Sequence, residues 1–160
     1  MDSAQSKHLK KMVTRCREAL EKSVFLLLVG RYGIHSDGTV EDIWRLIHLT
    51  GEDRKGREEI VASLDHLKSF GMDGRAAVEQ LVREVAFTHL NRLCALKMIE
   101  QRGFIREAVG RGHESRGFKY YLADNPGEEA AWLGGEQDAV YRRFLQSLAR
   151  ALEEEIGSLF

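Results

Sequence analysis

The chain has almost no proline: Pro126 is the single one in 160 residues. Little therefore stands in the way of long helices. It has two cysteines, Cys16 and Cys94, far apart and in no CxxC pair, so the spacing supports no zinc site. Both fall on helix faces that read as apolar, and free buried thiols suit a reducing cytoplasm. Long hydrophobic runs are missing too. The apolar stretch 24–29 is far too short to cross a bilayer, which argues against a membrane partner. The polar start from Met1 to Lys11 is unlike a signal peptide, so a cytoplasmic location is expected. Net charge is also slight, at 24 Lys and Arg against 25 Asp and Glu. The overall balance hence points to neither nucleic acid nor membrane.

What is present fits a folded domain of ordinary size: 43% of residues are hydrophobic and 31% charged. The charge is unevenly placed. From Arg83 to Lys119 eight basic residues face four acidic ones, whereas from Tyr120 onward three basic residues face eight acidic ones. A positive middle and a negative tail say more than the sum does.

Hydrophobic spacing predicts an all-α fold of about five helices in one domain over 1–160. The first helix spans about Ser3 to Arg31, with Leu9, Met12, Val13, Cys16, Leu20, Val24, Leu27 and Leu28 in one stripe. His35-Ser36-Asp37-Gly38 has turn chemistry. Thr39 reads as the N-cap of a short helix carrying Val40, Ile43, Trp44, Ile47 and Leu49. A third helix runs from about Asp53 to Phe70. The fourth, from Asp73 to Gly103, is the long one and is apolar on more than one side, as a central helix would be. A glycine-rich basic connector covers 103–135, with a short strand or hairpin within 104–122, where Phe118-Lys119-Tyr120-Tyr121-Leu122 is aromatic-rich. A last amphipathic helix covers about Glu136 to Ile156. The apolar ending at Ile156, Leu159 and Phe160 reads as that of an amino-terminal fragment of a larger protein.

Several motifs fall short of chemistry. Gly112-His113-Glu114-Ser115-Arg116-Gly117-Phe118-Lys119 approaches the phosphate loop GxxxxGK[ST], but its lysine is one place late and aromatic residues follow. Asp124-Asn125-Pro126-Gly127 approaches the (D/N/S)PP(Y/F/W) loop of amino-methylating enzymes. It lacks the second proline and the ring that stacks on a flipped base, so it reads as a turn. His35, His48, His66 and His113 have no second ligand at helical spacing, which leaves no metal site. His89 reads as a core or boundary histidine. Glu41 with Asp42, or the 153–155 glutamates, could be taken as catalytic carboxylates, but a run of three glutamates near a helix end reads as a solvated face.

The basic segment allows two readings. Arg102, Arg106, Arg111, Arg116 and Lys119 are interleaved with Phe104, Phe118, Tyr120 and Tyr121 on a flexible backbone, a pattern able to follow phosphates. Alternatively they form a solvated loop paired with the acidic final helix. On sequence alone a net excess of four favours the second.

One stretch carries a family likeness. Val85-Ala86-Phe87-Thr88-His89-Leu90-Asn91-Arg92-Leu93-Cys94-Ala95-Leu96-Lys97-Met98-Ile99-Glu100-Gln101-Arg102-Gly103-Phe104-Ile105 resembles the helix upstream of the catalytic core in large bacterial adenine-specific DNA methyltransferases. These include type II restriction–modification methylases and the modification enzymes of the BREX and DISARM phage-defence systems. Gly30-Arg31-Tyr32-Gly33-Ile34 with Asp37-Gly38, and the stretch from Tyr141 to Phe160, agree with the same family. His89 stands where tryptophan is common. The resemblance implies a non-catalytic amino-terminal domain that supports a methylase core and contacts double-stranded DNA through Arg102, Arg106, Arg111, Arg116 and Lys119. It implies S-adenosylmethionine as cofactor of the parent enzyme, with no catalytic residue or cofactor site inside 1–160. The implied partners are the methylase domain of the same polypeptide and proteins of the defence system. Asn91 and Arg92 are then a structural polar pair, buried or at a domain interface, with a carboxylate or carbonyls beside the arginine. The competing reading is a protein-interaction or dimerisation module with no DNA role, docking through the helix Glu136–Ile156.

Overall fold

The computed structural model describes residues 3–156, and they form two compact units, one through Asn91 and one from Arg92. Six α-helices account for most of these residues, so the all-α expectation holds. No helix among the described residues is long and apolar enough to cross a membrane. The ending 157–160 lies outside the described residues.

In the first unit α1 (Ser3–Gly30) and α2 (Gly51–Ser69) pack with the beginning of α3 (Gly74–Gln101). Leu28, Ile34, Leu64, Ala77, Val78, Leu81 and Val82 form the core, with Val24, Phe25, Ile60 and Val61 against it. A fully buried Leu64 or Val78 stabilises by about 1.5–3 kcal/mol. Only the second half of α1 enters this core. Leu9, Met12, Val13 and Cys16 of the expected stripe are exposed. Both cysteines are exposed, so the expectation of buried thiols is corrected. Periodicity marks a face that can be buried; it does not say that a partner reaches it.

Between α1 and α2 the backbone is pinned rather than helical. Ile34 and Val40 form an antiparallel bridge, and the Glu41 N–H donates to the Gly33 carbonyl at 2.8 Å. Val40 is thereby extended, and the expected helix from Thr39 shrinks to one 3-10 turn, Ile43–Arg45, capped by Asp42. Leu46 and Leu49 are buried, while Trp44 and Ile47, expected on the packed face, are 77% and 87% exposed. Arg57 of α2 is buried and donates to the carbonyls of Tyr32 and Glu41, which fixes this loop from below. Thr50 and Asp53 make a reciprocal capping box at the start of α2, and Arg31 grips the same Asp53 carboxylate at 2.8 Å. The Arg31 guanidinium, with the bonds from Thr50, holds the Asp53 carboxyl at about 2.

The second unit contains the end of α3, a connector from Arg102 to Ser115, α4 (Arg116–Asp124), α5 (Pro126–Leu133) and α6 (Gln137–Ile156). α3 ends as expected at Gly103, whose φ is 76°. The Gly103 N–H donates to the Glu100 carbonyl, and that of Phe104 to Ile99. α3 is not enclosed on all sides, since Phe87 and Met98 are 60% and 58% exposed. The core gathers Ala108, Phe118, Val140 and Phe144, with Tyr121, Leu122, Trp132, Tyr141, Leu145 and Leu148 packed on it.

The strand expected near Phe118–Leu122 is helical, within α4. Phe118, Tyr121 and Leu122 sit at i, i+3 and i+4 and all reach the core, whereas Lys119 and Tyr120 are exposed. A strand would have put Phe118, Tyr120 and Leu122 on one face. The glycine-rich connector thus contains two helices: Pro126 takes the first turn of α5, where its missing N–H costs nothing, and Gly134–Gly135 close it.

Candidate nucleic-acid interface

The basic connector is held in place by a carboxylate. Glu100, near the end of α3, has a side chain only 5% exposed. One of its oxygens accepts from the backbone N–H groups of Ala108, Val109 and Gly110 at 2.9, 2.8 and 3.1 Å. The other accepts from the Lys97 ammonium. Burial alone would raise this carboxyl, but the bonds from Lys97 and the three amides outweigh it and hold it at about 2. The Tyr141 hydroxyl donates to the Ala108 carbonyl at 2.8 Å, tying the same loop to α6.

A second staple joins the loop to α4. The Gly117 N–H donates to the Glu107 carbonyl at 2.7 Å, and a Cβ on Gly117 would stand 2.7 Å from that oxygen. Glycine alone permits this approach. Ser115, the N-cap of α4, has a buried hydroxyl with no hydrogen-bond partner, and of the two N–H groups that such a hydroxyl can take, that of Gly117 is already held by Glu107.

These staples set Arg106 over the ring of Tyr120, with its Cζ 4.3 Å from the centroid. Arg106, Glu107, Arg116 and Tyr120 line one shallow surface cleft. Of the five arginines and lysines expected to meet phosphate, all are exposed. Arg111 pairs with Glu107 at 3.5 Å and Lys119 with Glu114 at 2.8 Å. These partners belong to the connector itself, not to the acidic final helix. The pairing with Lys119 draws the Glu114 carboxyl below its ordinary range. Arg102, Arg106 and Arg116 make no ion pair among the described residues. The structure thus brings Arg106 and Arg116 together beside an aromatic ring.

Asn91 and Arg92 are both exposed, so the buried alternative for this pair is corrected. Arg92 lines a cleft with Arg150 and Glu153 of α6. A carboxylate is therefore near, without an ion pair among the described residues. His89 is exposed rather than in the core.

Glu100 and Arg57 carry no sequence signal of these roles, since their partners follow no local period. Lys7, Lys10, Lys11, Arg15 and Arg17 are all exposed on the first half of α1, with no acidic residue between Lys7 and Arg17. That run was available to a local charge count.

The near-motifs resolve as structure. Asp124 ends α4, and the Asn125 amide donates to the Tyr121 carbonyl, so 124–127 is the joint between two helices. Gly112–Glu114 is a 3-10 turn and Lys119 is committed to Glu114. Neither stretch offers a cradle for S-adenosylmethionine. A scan of family models finds no match to this chain, and neither curated proteins nor solved structures give one.

Proposed function

We propose that this chain is a non-catalytic, DNA-contacting helical module of a cytoplasmic, adenine-specific, S-adenosylmethionine-dependent DNA methyltransferase from a bacterial restriction–modification or phage-defence system. In this reading the second unit grips the DNA backbone while a methylase core, supplied by the parent polypeptide, modifies the base. The likeness of Val85–Ile105 to the upstream helix of such enzymes supports the methyltransferase context. One observation carries the DNA contact. Arg106 and Arg116, unpaired among the described residues, share an exposed cleft with Tyr120 on a loop fixed by Glu100. A guanidinium with no ion pair to break presents a planar fork of donors that matches phosphate.

The rival reading, a protein-docking module, relies on the final helix. Within the second unit α6 already spends Val140, Tyr141, Phe144, Leu145 and Leu148 on its own core. Exposed Trp44 and Ile47 of the first unit are the better support for docking.

The test is binding of a labelled duplex to the full chain at two salt concentrations, beside a variant with Arg106, Arg111, Arg116 and Lys119 all replaced by alanine. If four phosphates are engaged, affinity should fall about a hundredfold between roughly 50 and 200 mM salt. The variant should lose both the binding and the salt dependence. Absence of binding at low salt, or binding that the variant keeps, defeats the proposal.

A further inference from the structure

Tyr120 is half exposed although four neighbouring rings, Phe118, Tyr121, Tyr141 and Phe144, are drawn into the core. It stands on the solvent side of α4, two positions after buried Phe118 and next to Tyr121. Arg106 covers one face of its ring, and the residue remains 49% accessible. Phe104, two residues before Arg106 on the same connector, is 76% exposed. Arg116 and Glu107 line the cleft that Arg106 and Tyr120 share.

A B-form duplex has no use for such a ring. Its bases are stacked on one another, and the backbone meets proteins through charge and hydrogen bonds. An unpaired nucleotide offers an open π-face, and base stacking on an aromatic side chain is indifferent to sequence. The arginine beneath the ring keeps it fixed and adds a cation for the adjoining phosphate. Arg116, which lines the same cleft, supplies a second cation.

We infer that this cleft binds unpaired nucleotides: a base stacks on the free part of Tyr120 while Arg106 and Arg116 hold the flanking phosphates. The inference rests on the proposed DNA contact and sharpens it, because the preferred ligand becomes single-stranded or locally opened DNA rather than intact duplex. It also gives the exposed Tyr120 a task that a phosphate clamp would not need.

The experiment compares the full chain with three probes of one sequence: a labelled single strand, the perfect duplex, and the duplex with a central stretch of three unpaired nucleotides. Variants Tyr120→Ala, Tyr120→Phe and Arg116→Ala are measured beside the wild type at fixed salt, with circular dichroism confirming that each is folded. The expected result is binding at least fivefold tighter to the single strand and the opened duplex than to the perfect duplex. Tyr120→Ala should erase that preference, with a loss of about tenfold on the single strand. Tyr120→Phe should keep it, since the ring and not the hydroxyl is used. Arg116→Ala should weaken all three probes together. Equal or tighter binding to the perfect duplex overturns the inference while leaving the charge-based contact standing. A preference that survives Tyr120→Ala overturns the assignment to this cleft. Failure to bind any probe overturns both the inference and the reading on which it rests.

Discussion

Glu100→Ala is expected to cost the second unit about 3–5 kcal/mol, enough to unfold much of a marginally stable domain. The reason is the asymmetry of hydrogen bonding. Each buried N–H that loses its acceptor costs about 1–3 kcal/mol, and the partly buried N–H groups of Ala108 and Val109 converge on this one carboxylate, with the exposed N–H of Gly110 beside them. Lys97 loses its partner as well. Glu100→Gln should recover part of the loss, because one amide oxygen can still accept while the NH2 group cannot. Acid should reproduce the effect. The folded carboxyl sits at about 2, below its value in an unfolded chain, so its contribution is complete above about pH 5 and disappears as the pH falls toward 2. The gap corresponds to about 3 kcal/mol. Asp53 is held as low in the first unit, so the two must be separated. Trp132 packs in the core of the second unit and reports on it, while Trp44 is 77% exposed and contributes little change. Denaturant melts followed by tryptophan fluorescence between pH 7 and 3 should show a steep acid loss in the wild type and a shallow one in Glu100→Ala. Equal stabilities at pH 7 would refute the anchoring role.

Gly38→Ala should be nearly as damaging to the first unit, at about 3 kcal/mol or more. Gly38 has a φ of 83°, where an L side chain is strained. Worse, its new Cβ would lie 2.6 Å from the Cα of Gly74, a backbone atom that cannot swing aside. The contact is mutual, since a Cβ on Gly74 would strike the Asp37 carbonyl. Lys68 of α2 adds a hydrogen bond to the Gly38 carbonyl at 2.9 Å, so this turn is fastened to α2 and cannot drift to relieve the clash. Gly56→Ala is the control: it lies in α2, its Cβ would meet nothing within 4 Å, and helix propensity predicts a gain of up to about 1 kcal/mol. Thermal melts of the three proteins decide the matter. A Gly38→Ala protein as stable as the wild type would contradict the packing described for this turn.

What the sequence disclosed and what it hid divide along a physical line. Long helices with period-3.6 spacing were legible, because α3 between Asp73 and Gly103 carries both its start and its stop in local chemistry. Short elements were not. Residues 39–49 have a helical pattern, yet the bridge to Ile34 and long-range bonds from Arg57 hold the chain extended at Val40 and leave only the single 3-10 turn Ile43–Arg45. Gly117 and Pro126 looked like punctuation, but one is a contact surface for Glu107 and the other a helix start. The basic side chains of the candidate interface stand out in the sequence as a cluster, and all of them are exposed. Their arrangement was hidden, since it depends on Glu100 and Gly117, whose backbone partners lie eight to ten residues away and follow no local period.

The central claim is that the second unit meets nucleic acid through the connector and α4. Amide hydrogen exchange of the full chain, with and without saturating DNA, tests it most directly. The account predicts slower exchange confined to residues 104–120, with α2 unchanged. Protection on the first half of α1, where Lys7 to Arg17 offer a competing basic surface, or none anywhere, would contradict it.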